Sequence, residues 1–379
     1  MDTSVWRVLP DAGPLVAPAG CGPLDGETVA VKDLFAVAGQ RVGAGNPEWL
    51  EQARAEPEHA WAVARLLEAG AAVRGIARTE EFAWSLTGAN AHYGTPPNPA
   101  APGRVSGGST SGPATAVAAG EVSVGLGSDT WGSIRVPAAY QGLWGHRPTQ
   151  GAVPGDGALP LARSFDTVGW LTRDAGLLVG VGDVLLPPDT ATASGELLVA
   201  TDLLDQAEPD VRDAVARATR HLAAAPTAWA VPDAWIEALR AVQAAEAWAA
   251  HGAWVGPRLD RIGAAVRGRF AFAATVTPEQ ADAARAVVTR AGAEIRDRLG
   301  DDVLVVPSAS SVAPVADPAA AEAVRRATVA VTSVAVLAGL PAVSVPVTTA
   351  DGLPAGLSLV GPAGSDRALL RRAAELATA

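Results

Sequence analysis

Between residues 57 and 77 the spacing of apolar side chains changes from helical to strand-like. Pro57 to Ala69 puts Ala60, Val63, Ala64 and Leu67 on one face and stops at Gly70, which predicts an amphipathic helix. Ala71 to Ala77 then reads as a short buried strand. The alternation recurs: a small-residue helix over Ser111 to Ala119, a strand over Val122 to Leu126, and a helical turn after Ser133. Pro113 falls in the first turn of its helix, where a missing N–H does no harm. Buried strands are predicted at Leu197 to Ala200 and Val303 to Val306, and helices at Pro278 to Leu299 and Ala319 to Leu337. Two more strands, near Ala342 to Val347 and Gly356 to Val360, precede a helix from Asp366. Strands separated by helices predict an α/β fold, an α/β/α sandwich with a large mixed central sheet covered by helices on both faces. The expected organisation is one domain over 1–379, with a core of 25–174 and 300–375 and a mostly helical, variable region at 175–300.

Composition narrows the functional classes. Hydrophobic residues make up 49% of the 379, enough for a large core, and 18% are charged. A net charge of −11 argues against a nucleic-acid partner, which requires basic surface. No apolar run is long and unbroken enough to predict a membrane span, and no secretory leader pattern follows Met1. One cysteine, Cys21, leaves no intrachain disulfide and no cysteine-based zinc site. A cytoplasmic enzyme without metal or cofactor is the expectation. The sequence leaves a homodimer open.

Lysine occurs once, at position 32, beside 28 arginines. Compositional drift explains the arginines but not the position that resisted. Arginine keeps its proton, whereas burial can make lysine neutral, so Lys32 marks a need for either a removable proton or a compact ammonium. Several nucleotide and hydrolase motifs fail. Lys32 is followed by Asp33, not by the Ser or Thr of a phosphate loop, and Gly125-Leu-Gly127 lacks the third glycine of a dinucleotide fingerprint. Gly108-Ser-Thr-Ser-Gly112 has threonine where a nucleophile elbow has serine. The histidines (59, 92, 146, 221 and 251) form no i,i+4 metal pair. What remains is a pair of Gly/Ser-rich segments, Val105–Gly112 and Gly127–Pro137, each flanking a well-patterned element. Such segments present backbone N–H groups near helix starts, where an oxyanion can be held beside a serine nucleophile.

These residues resemble the amidase signature family. The likeness lies in Val31-Lys-Asp33, Gly107-Gly-Ser-Thr-Ser-Gly112, Gly127-Ser-Asp-Thr-Trp-Gly-Ser-Ile-Arg135 and Arg163-Ser-Phe-Asp-Thr-Val-Gly169, with further agreement at Leu337–Pro346 and Gly352–Leu357. Gly45–Leu50 and Asn90–Pro96 look most like the indole-3-acetamide hydrolase branch. The resemblance implies hydrolysis of a small primary or aryl carboxamide through a serine acyl-enzyme. Ser133 would be the nucleophile, Ser109 the bridging serine and Lys32 the base. The peptide N–H groups of Thr130, Trp131, Gly132 and Ser133 would form the oxyanion hole, and the Gly108–Ser109 bond would be cis.

Trp131 stands where the family usually has glycine. It reads as a wall of the acyl pocket or as an outward packing group, and Trp84 is a second candidate for the pocket. Asp129 and Arg135 read as partners holding the loop, and His92 and His146 as structural histidines. The chain is short for the family, which implies trimmed loops in 175–300 and a more open pocket. Two other readings stay in view: a catalytically inactive amidase-like scaffold and an ammonia-supplying amidotransferase subunit.

Overall fold

The computed structural model describes residues 2–315 and 318–376. Among them, eleven strands form one mixed sheet. In chain order these are β1 (Trp6–Val8), β2 (Thr28–Lys32), β3 (Ala72–Ala77), β4 (Val124–Asp129), β5 (Trp144–Arg147), β6 (Thr167–Thr172), β7 (Leu197–Ala200), β8 (Ala224–Thr227), β9 (Val303–Pro307), β10 (Ala342–Thr348) and β11 (Pro354–Val360). Their spatial order is β1-β3-β2-β4-β6-β5-β10-β11-β9-β7-β8. Parallel pairing joins β3, β2 and β4. It also joins β9, β7 and β8. The strands between these two groups pair antiparallel.

Alternation along the central strands shows why both faces are covered. Val124 and Leu126 of β4, Val168 and Trp170 of β6 and Val343 of β10 join one apolar cluster. That cluster includes Leu178, Val181 and Leu185 from the helix Ala175–Leu185, and Leu369, Leu370 and Ala373 from the helix Asp366–Leu376. The intervening positions face the other way, and several of them are glycines, Gly125 and Gly127 in β4 and Gly169 in β6. A Cβ added at Gly125 would lie 3.2 Å from Pro113 and Val117, so the helix Ser111–Ala118 rests almost on the strand backbone. The helix Arg135–Gln141 takes the same face, and a Cβ at Gly356 of β11 would meet Ala139 at 2.8 Å. This close approach sets the site, because both helices begin at the Gly/Ser-rich segments.

Most expected elements are present at close to their expected bounds; the helix Pro278–Leu299 and β7 coincide with them. The helix expected from Pro57 begins at Trp61. Pro57 and Glu58 form a bend, and Ala60 N–H donates to Ala36 O and Trp61 N–H to Asp156 O, so tertiary pairing replaces the first helical turn. The 175–300 region is mainly helical, led by the 23-residue helix Asp233–Val255, but it also adds β7 and β8 to the sheet. No helix among the described residues is long and apolar enough to cross a membrane.

Candidate active site

Lys32 is the last residue of β2, and β2 lies between β3 and β4. Its strand carries Val29, Ala30 and Val31, all fully buried, so the chain delivers the amine into the interior with no exit to water. Lys32 itself is 0% exposed. Nζ lies 2.8 Å from Ser109 Oγ, 3.0 Å from Ser128 Oγ and 3.1 Å from Thr110 Oγ1. Burial lowers its pKa to about 7, opposed by the carboxylates of Glu80, Asp129 and Asp166, which favour the charged form. Near neutral pH a large fraction of Lys32 is therefore a free amine.

Ser109 sits just before the helix Ser111–Ala118, and the Gly108–Ser109 peptide is cis. Its carbonyl accepts hydrogen bonds from Thr79 Oγ1 at 3.0 Å and from the Glu80 N–H at 3.4 Å. Glu80 is fully buried next to this turn. Its Oε1 accepts from Gly88 N–H and Thr87 Oγ1, while Oε2 has no partner among the described residues. Burial pushes the Glu80 carboxyl up from the ordinary range.

The second Gly/Ser-rich segment turns at the end of β4. Ser133 is 3% exposed, and its carbonyl accepts from Thr110 N–H at 3.4 Å, which ties the two segments together. The hydroxyls of Ser109 and Ser133 do not hydrogen-bond in this structure, so a bonded row of the three side chains is present only from Lys32 to Ser109. Ser133 lies on the wall of a cavity.

Asp129 organises this turn. Its carboxylate accepts from Gly132 N–H at 2.7 Å and Ile134 N–H at 3.2 Å. Arg135 grips it through Nε at 3.0 Å and Nη2 at 3.1 Å, and Arg147 adds Nη1 at 3.0 Å. Burial alone would raise the Asp129 pKa, but the two guanidiniums hold it well below the usual carboxylate range. The expected holding role of Asp129 and Arg135 has this geometry behind it, and Arg147 is a third member that the sequence reading missed. Asp129 takes the Gly132 N–H, and the N–H groups of Thr130, Trp131 and Ser133 have no hydrogen-bond partner among the described residues. Gly132 adopts φ +117°, a conformation that side chains resist, whereas Trp131 keeps an ordinary backbone. Bulk at 131 is thus tolerated without strain.

A cavity of about 800 Å³ is lined by Thr130, Trp131 and Ser133 together with Trp84, Gln243 and Phe272. Trp84 and Trp131 are thus on the wall of one cavity. Trp131 Nε1 donates to Ser333 Oγ at 2.9 Å, and its carbonyl accepts from Thr332 Oγ1 at 3.2 Å, so the side chain is pinned to the helix Pro318–Ala338. Trp84 packs edge-on against Phe270 with ring centres 4.8 Å apart and donates to Gln243 Oε1 at 3.3 Å. A smaller cavity of about 190 Å³ shares Ala83, Thr130 and Leu161 with the first and includes Ser128 and Asp166 in its wall. Asp166 accepts from Thr130 Oγ1 at 2.6 Å, and from the N–H groups of Leu161 and Ala162; burial raises its pKa to about 6.

The remaining candidates lie elsewhere. His92 Nε2 is 2.7 Å from buried Glu81, and His146 is buried 3.3 Å from Asp366. Among the described residues no group of three or more His, Cys, Asp and Glu side chains is placed to hold a metal ion.

A family model described as Amidase matches residues 17–370, so the chain belongs to the amidase signature family. It is an enzyme of the amide-hydrolysing class. The chain is 36% identical to Amidase 1 of Arabidopsis thaliana over 391 residues, covering 92% of this chain and 91% of that protein. It is 32% identical to a glutamyl-tRNA(Gln) amidotransferase subunit of Haloarcula marismortui, covering 94% and 96% respectively. Among solved structures, the crystal structure of an amidase superposes with a TM-score of 0.83 at 30% identity, over 94% of this chain and 85% of that one.

Proposed function

We propose that this chain hydrolyses a small primary or aryl carboxamide to a carboxylate and ammonia or an amine, with Ser133 as nucleophile, Ser109 as relay and Lys32 as base. The observation that carries the reading is a fully buried amine, with a pKa of about 7, held 2.8 Å from the hydroxyl of Ser109. Ser133 Oγ attacks the amide carbonyl; its proton passes to Ser109 Oγ as the Ser109 proton passes to Lys32 Nζ. The unpaired amides of Thr130, Trp131 and Ser133 face the developing oxyanion. On collapse the C–N bond breaks and the proton returns through Ser109 to the leaving nitrogen. Water then attacks the Ser133 ester, losing its proton along the same path, and the carboxylate is released. Trp84 and Trp131 supply flat apolar walls suited to an aryl or indolyl acyl group, and the reaction takes place in the cytoplasm.

The likeness to an amidotransferase component supports a second reading, in which the ammonia is consumed by a partner. Ammonia release by the purified chain alone, across aliphatic, aryl and indole amides, separates the two. Free turnover that Ser133→Ala reduces by at least about 10⁴-fold supports the amidase reading. Undiminished turnover in Ser133→Ala overturns the assignment of the nucleophile.

A further inference from the structure

The amine of Lys32 is held by three hydroxyls, and only one of them leads to the nucleophile. A neutral amine has two N–H donors and one lone pair. As a base toward Ser109, it must turn that lone pair to Ser109 and place both N–H groups elsewhere. The other two hydroxyls are arranged for that division. Thr110 Oγ1 donates its single proton to the Ser128 carbonyl at 3.3 Å, so toward Nζ, 3.1 Å away, it can only accept. Ser128 Oγ, 3.0 Å from Nζ, is half-buried on the wall of the 190 Å³ cavity. Its proton has that cavity to point into, which leaves the oxygen to accept the second N–H.

We infer that Thr110 and Ser128 are positioning residues that bind the two N–H groups of neutral Lys32 and so aim its lone pair at Ser109. The inference rests on the reading of Lys32 as the base. Threonine suits position 110 better than serine. A side-chain carbon at Gly127 would collide with the Thr110 methyl, so that methyl lies against the β4 backbone. Branching at Cβ then leaves one rotamer that fits, with Oγ1 between Nζ and the Ser128 carbonyl. The charged groups acting on Nζ from the surrounding elements are Glu80, Asp129 and Asp166, and none of them is a hydrogen-bond partner of the amine. They set how readily the amine binds a proton. Its direction is set by the two hydroxyls.

Covalent trapping of Ser133 by phenylmethylsulfonyl fluoride tests this without knowledge of the natural substrate. Ser133 Oγ bonds to sulfur, fluoride leaves, and the serine proton passes through Ser109 to Lys32. The rate is followed against pH for the wild type, Thr110→Val, Thr110→Ser and Ser128→Ala. Valine keeps the shape of threonine and removes the acceptor. The expected result for Thr110→Val is a plateau rate lowered by about tenfold or more. Its acid limb should also move to lower pH, because the ammonium loses a hydrogen-bond acceptor that favours the charged form. Ser128→Ala should show the same pair of changes, and Thr110→Ser should recover most of the rate. A merely structural role would lower the plateau and leave the limb in place, which would overturn the inference. So would wild-type rates in both Thr110→Val and Ser128→Ala. If Thr110→Val does not fold, Ser128→Ala at its cavity wall decides the matter. Trapping that survives in Lys32→Ala would instead defeat the reading of the base, a result separate from either of these.

Discussion

At the scale of single residues, the site depends on one proton. Arginine at position 32 would keep the charge and the reach of lysine but could not give up a proton. Lys32→Arg should therefore lower kcat by about 10²–10⁴-fold, measured as ammonia release at about pH 8. Near-normal turnover in that variant would rule out Lys32 as the base. The pH dependence follows from the same group. With Lys32 as the proposed base the free amine is the active form, and its pKa lies near 7, so kcat/KM should rise with pH through 7 and level off above it. Glu80 is the carboxylate acting most strongly to favour the ammonium. Glu80→Gln removes that attraction, lowers the Lys32 pKa further and should shift the limb toward acid. A shift toward alkali would contradict the electrostatic account.

At the scale of elements, a short loop from Asp129 to Ser133 carries the serine proposed as nucleophile, and its shape is imposed from below. Three backbone amides and two guanidiniums converge on one fully buried carboxylate. Asp129→Asn would leave Arg135 and Arg147 as buried charges without their counterion. Such a break costs about 3–5 kcal/mol, so urea denaturation should show a loss of that order together with lost activity. An unchanged midpoint would show that the loop is held by other means. Asp129 and Arg135 could be read as holding groups because they are close in sequence. Arg147 and Asp166 could not, since their roles depend on β6 pairing with β4 and β5 pairing with β6. Strands β1, β2, β5, β6 and β8 were missed for a related reason. Three to six residues carry too little periodicity, and pairing with neighbours decides their conformation. Strand β4 was legible because Val124 and Leu126 alternate with small residues that let helices approach. Trp84 and Trp131 were legible only as candidates. That both line one cavity depends on the helices Asp233–Val255 and Pro318–Ala338, far away in sequence.

At the scale of the whole molecule, the arrangement that makes Lys32 reactive should make the fold less stable than it needs to be. An unfolded chain holds lysine protonated up to a pKa near 10.4, whereas in the folded chain the proton is lost near 7. Below pH 7 the folded protein must therefore carry a desolvated ammonium, or release its proton at a cost. Between pH 7 and about 10.4 the unfolded state binds the extra proton, so this group's contribution to stability improves as pH rises across that window. Asp33 and Asp166 act in the opposite sense. Burial raises both to about 6, so the folded state binds protons more tightly there, and their contribution falls as pH rises from about 4 to 6. The three groups together are least favourable between about pH 6 and 7. Lys32→Met replaces the amine by an apolar chain of similar length and removes the penalty at its source. The variant should be inactive yet melt several degrees above the wild type at about pH 6.5. That advantage should shrink steadily as the pH approaches about 10, where lysine is becoming neutral in both states. Scanning calorimetry of the two proteins over this range reads the difference directly. A Lys32→Met protein that melts lower at every pH would mean that the three hydroxyls more than repay the burial of the amine.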